Sequence, residues 1–92
     1  MNAAKRKRIR AVIKELLGKM IDWDFVENEI SDLLSEEEDA LDNMSEAFSE
    51  TERYAIAEES AGYLEEALDY VDPDDAEAAE AIIKTLKQID GV

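Results

Sequence analysis

The sequence predicts an all-α protein: an antiparallel helical hairpin whose second arm is kinked at Pro73, assembling as a dimeric helical bundle. Three observations carry this expectation. Apolar residues recur at alternating steps of four and three over long stretches, the period of a helix face. The 92 residues contain one Pro and three Gly, so few positions break a helix. The single Pro follows Asp72, and Asp-Pro suits a helix start, with Asp as N-cap and Pro at the first helical position.

The first predicted helix covers residues 3–42. Its stripe reads Ile9, Ile13, Leu16, Met20, Trp23, Glu27, Ile30, Leu34, Glu37, Leu41 and Met44, nine apolar out of eleven. A flanking row, Val12, Lys19, Val26, Leu33 and Ala40, is apolar at four of five positions, so the face is wider than a two-stranded seam and suits a bundle. Such a helix would be roughly 60 Å long at ~1.5 Å per residue. Gly18 has the chemistry of a C-terminal cap, and Asp24 with Glu27 has the spacing of a capping box. The stripe keeps its register across both, which favours one continuous, bent helix over two shorter ones. A break near Gly18 would instead make a monomeric four-helix bundle.

Residues 43–49 read as the connection, because Asn43, Ser45 and Ser49 interrupt the pattern. Ser49 as N-cap and Glu52 three residues on form a capping box for a second helix over residues 50–71. Its face is Tyr54, Ala57, Ala61, Leu64, Leu68 and Val71, widened by Ile56, Tyr63 and Tyr70. A third helix, residues 73–89, carries Ala76, Ala79, Ile82, Ile83, Leu86 and Ile89. The three helices make one domain, residues 1–92. A lone hairpin cannot cover faces this wide. Leu16, Leu17, Met20, Ile21, Trp23 and Phe25 are therefore expected to meet a second copy or another protein.

Composition narrows the function. With no Cys and no His there is no disulfide framework, no Cys/His zinc site and no thiol or imidazole catalyst. Asp69, Asp72, Asp74 and Asp75 cluster, but a calcium loop begun at Asp69 would place Val71 and Pro73 at ligand positions. No Gly-rich phosphate loop is present. The expectation is a non-catalytic protein with no cofactor and no metal. No apolar run reaches the ~18 residues of a membrane span, and the basic run Lys5–Arg8 is not followed by the apolar core of a signal peptide. A cytoplasmic protein without a membrane partner is expected.

Charge is the second strong pattern. The net charge is −15, and it is sorted along the chain: +6 over residues 1–19, −22 over residues 20–83 and +1 over residues 84–92. Ten carboxylates fall between Asp22 and Asp42. On a helix that is one charge per ~3 Å, close to the ~3.4 Å spacing along one DNA strand. The outward rows are Asp22, Glu29, Asp32, Glu36 and Asp39 on the first helix, and Glu58, Glu59, Glu65, Glu66 and Asp69 on the second. A face that only keeps the protein dissolved commonly mixes both signs, because Glu–Lys pairs at i,i+4 stabilise helices. The second helix has almost no such lysines. Five bases between Lys5 and Arg10 offer an alternative grip on nucleic acid, opposed by the acidic body.

Three segments resemble small acidic helical proteins of unknown function from bacteriophage and prophage genomes: Asp42-Asn43-Met44-Ser45-Glu46, Ser49-Glu50-Thr51-Glu52-Arg53-Tyr54 and Leu64-Glu65-Glu66-Ala67-Leu68-Asp69. The resemblance covers residues 30–72. The chain departs from that pattern at Ser45, where Pro is usual, and at Gly18, Trp23 and Pro73. The resemblance implies a phage-encoded protein acting in the host cytoplasm. Joined to the acidic rows, it gives the expected function: binding a basic host protein, such as a nucleic-acid-binding or defence complex, and inhibiting it by nucleic-acid mimicry. The alternative is a structural coiled-coil module for assembly whose acidic face is merely solvated.

Overall fold

The computed structural model describes residues 2–43, 52–89 and 91–92. Among these residues the chain forms four helices and no strand: α1 (Ala3–Leu16), α2 (Trp23–Asp42), α3 (Glu52–Asp69) and α4 (Ala78–Leu86). The Ser49 cap expected for the second helix lies outside the described residues.

The expected continuous helix over residues 3–42 is corrected to two helices. Side-chain chemistry between residues 15 and 25 supplies the reason. Leu17 ends α1 in the right-handed helical region, its N–H donating to the Ile13 carbonyl while the Gly18 N–H donates to that of Glu15. The Glu15 carboxylate then accepts from the Asp22 backbone N–H at 3.0 Å, and the Asp22 carboxylate accepts from the Phe25 N–H at 3.1 Å. The second helix thus starts behind an Asp22 N-cap rather than the Asp24 expected from spacing. Gly18 is not a left-handed cap, since Gly91 is the one described glycine with positive φ.

The start of the last helix is corrected as well. Asp72 does not cap a helix at Pro73. Its carboxylate accepts from the Asp74 N–H at 3.0 Å, and Asp75 repeats the contact to the Glu77 N–H at 2.9 Å. Two successive Asx turns compete with helical hydrogen bonding, so residues 70–77 form a compact connection.

Two contacts set the directions of the helices. Lys5, near the start of α1, meets Glu37, near the end of α2, so these two helices run antiparallel. Arg10 donates to the Gly91 carbonyl at 2.7 Å, which brings the tail after α4 to the middle of α1. A Cβ at Gly91, where φ is +83°, would lie 2.7 Å from Arg6 Cδ, so this position needs glycine. α2 packs on α1 and α3, and α4 packs on α3 and α1, which closes a ring of four. The loop over residues 17–22 and the connection over residues 70–77 therefore share one end of the bundle.

All four helices feed one core. Ile9, Val12, Ile13 and Leu16 come from α1, Val26, Ile30 and Leu33 from α2, Leu64 and Ala67 from α3, and Ile82 and Leu86 from α4, with Ile89 beyond it. Each large side chain contributes about 1.5–3 kcal/mol by leaving water. The apolar face expected to need a second subunit is thus largely covered within the chain. Leu16 is buried, Ile21 and Trp23 pack against the core, and Phe25 is half-buried. Leu17 and Met20 instead stand in solvent, because α1 has ended and their helical phase is lost.

Candidate acidic interface

α3 is built to lie close to the core and face outward with acids. Its buried positions are mostly small: Ala57, Ser60, Ala61 and Ala67 surround Leu64. Small residues let the backbone approach its neighbours. The opposite face carries Glu58, Glu59, Glu65, Glu66 and Asp69, all exposed, with exposed Gly62 between them. The two Glu pairs are one heptad apart, ~10 Å along the axis. The Tyr63 hydroxyl donates to Glu59 at 3.0 Å and the Tyr70 hydroxyl to Glu66 at 3.2 Å, each from four residues on. These bonds hold the two carboxylates one turn from their rings. The same bonds, chiefly, push both tyrosine hydroxyls above their ordinary pKa, because a phenolate would face a carboxylate.

The expected row on α2 is treated differently. Glu29 and Glu36 both accept from the Arg8 guanidinium, which bridges them across one helical turn-pair. Hydrogen bonding to Glu29, then Glu36, raises the arginine further above its ordinary value. Glu37, read from sequence as a lapse in the apolar stripe, is 1% exposed and paired with Lys5 at 2.9 Å. Asp22 caps its own helix. Asp32 and Asp39 are the members of the row that stay exposed without a role in these contacts. The structure therefore brings the α3 acids together on one face and divides the α2 acids between intramolecular pairing and solvent.

The partners of the α2 acids come from the basic start of the chain. Sequence reading grouped Lys5–Arg10 as one patch. In the fold Lys5 and Arg8 turn toward α2, and Arg10 toward the C-terminal tail. The signal that could have found this is the coincidence of bases at the start of α1 with acids at the end of α2, which antiparallel packing must bring together. By contrast, residues 54–83 contain ten acids and neither Lys nor Arg.

Among the described residues, every buried side-chain nitrogen or oxygen has a hydrogen-bond partner, and no three acidic groups converge as metal ligands would. No described helix is long and apolar enough to cross a membrane. No family model, curated protein or solved structure matches this chain.

Proposed function

We propose that this chain is a non-catalytic, phage-encoded interaction protein that occupies a basic nucleic-acid-binding surface of a host protein in the host cytoplasm, in the manner of a nucleic-acid mimic. The observation that carries this reading is the segregation of charge. Ten acids without one base run through residues 54–83, and five of them share the outer face of α3. Like charges at i,i+3 and i,i+4 cost a helix a few tenths of a kcal/mol each. A basic partner turns that repulsion into charge-assisted contacts worth more than neutral ones. The phage origin rests on the resemblance of residues 30–72 alone.

The test is capture from a bacterial lysate with the chain as bait, washed in parallel with salt and with DNA or RNA. The reading expects a nucleic-acid-binding protein that is released by nucleic acid and by raised ionic strength, since exposed charge contacts are screened. A captured set indifferent to both washes would refute it.

A further inference from the structure

Three large apolar side chains are strongly exposed among the described residues: Leu17 at 71%, Met20 at 91% and Tyr70 at 43%. Single exposed apolar residues are ordinary. These three sit on the two connections that share one end of the bundle, the loop over residues 17–22 and the segment over residues 70–77. What surrounds them decides what can cover them. Two lysines, Lys14 and Lys19, stand against Asp22, Asp24, Asp69, Asp72, Asp74 and Asp75, all exposed at the same end. A second copy would bring the same acidic excess against this one. An anionic lipid surface would be repelled in the same way. An apolar tip ringed by acid fits a surface that is basic and apolar together.

We propose that this end of the bundle docks on a basic surface carrying aromatic or aliphatic side chains among its cations, the chemistry with which proteins hold single-stranded nucleic acid. Resting on the acidic-interface reading, this narrows the partner class. A surface that binds duplex phosphates alone offers cations. A single-strand site adds side-chain platforms on which bases stack. Here the acids take the place of phosphates, while Tyr70, Met20 and Leu17 take the place of unstacked bases.

Two synthetic peptides with equal numbers of lysines test this, one interleaved with serine and one with tryptophan. Wild-type protein should bind the tryptophan peptide about tenfold more tightly, the equivalent of one modest stacking contact. The triple variant Leu17→Ser, Met20→Ser, Tyr70→Ser should lose that preference and bind the two peptides alike, since loss of the Tyr70–Glu66 hydrogen bond acts on both equally. All three positions are exposed, so the fold should hold. If the triple variant lost helix content, Met20→Ser alone should reduce the preference. Equal wild-type binding of the two peptides would overturn this inference and leave the acidic interface standing. A preference retained by the triple variant would overturn it too. Failure to bind even the serine peptide at low salt would overturn both.

Discussion

Glu37 shows how one residue can be misread when its partner is 32 positions away. By period it belongs to the apolar stripe, and by chemistry it does not. The fold resolves the conflict with Lys5, whose ammonium reaches it at 2.9 Å with side-chain exposures of 16% and 2%. Removing one member of such a pair strands the other charge, which costs more than the pair itself contributes. Lys5→Met should destabilise the protein by about 2–3 kcal/mol in denaturant titration. Adding Glu37→Leu should restore most of that loss, since an apolar pair fills the same space without desolvated charge. A double variant no more stable than Lys5→Met would show that Glu37 is not held by Lys5.

The tyrosines of α3 give a second residue-scale outcome. Tyr63 and Tyr70 donate to Glu59 and Glu66, and their hydroxyls are raised above the ordinary value near 10. A group raised on folding adds stability below its unfolded pKa and loses it as pH climbs through the folded one. The contribution of these bonds should therefore be constant through neutral pH and disappear in alkali. Tyrosinate absorbance should show Glu59→Gln titrating Tyr63 earlier than wild type. No change in that titration would exclude the bond in solution.

At the scale of elements, the helical character and the buried faces were legible because periodicity is a local property. Ile9, Ile13 and Leu16 fall on one face of α1 as counting predicts, whereas on α2 the buried face is shifted to the flanking row, Val26 and Leu33 beside Ile30, and Glu27 of the counted stripe is exposed. The break between them was legible only as the alternative reading near Gly18, because a stripe can stay in register by number while the chain turns. What turns it is a relay of carboxylates, Glu15 to the Asp22 amide and Asp22 to the Phe25 amide, that no period encodes. The acidic connection between α3 and α4 was misread for a related reason: Asp72 and Asp75 use their side chains on nearby amides instead of capping a helix. The break carries a sharp contrast in mutational cost. Leu16→Asp places a charge in the core and should unfold the protein, with a loss of about 4 kcal/mol or more. Met20→Asp, four residues on in the same sequence stripe, should change stability by no more than about 0.5 kcal/mol. Thermal melts of the two variants check this, and similar losses would restore the continuous helix.

α1 and α2 also carry their charges at unfavourable ends. α1 has no acid in its first turn and begins with bases, while α2 has no base in its last turn and ends among acids. Each opposes its own helix dipole. Antiparallel packing sets one against the other, and Lys5 and Arg8 close the contact. Tertiary structure thus relieves what local sequence opposes.

For the whole molecule, this pairing decides where the net charge of −15 is felt. Bases from α1 answer part of α2, whereas α3 beyond Arg53 and the connection after it have none of their own. The acidic character of the candidate site was plain in the sequence; its concentration on α3 was not, because it depends on which helices become neighbours. The central claim is that the carboxylates of α3 are the binding surface. Its most direct test is one variant, Glu58→Gln, Glu59→Gln, Glu65→Gln, Glu66→Gln, Asp69→Asn, used as bait beside wild type in the same lysate. These side chains are exposed, so helix content should be kept and stability should hold or rise as repulsion falls. The account predicts that the nucleic-acid-binding partner is recovered on wild type and lost on the folded variant. Equal recovery on both would contradict it.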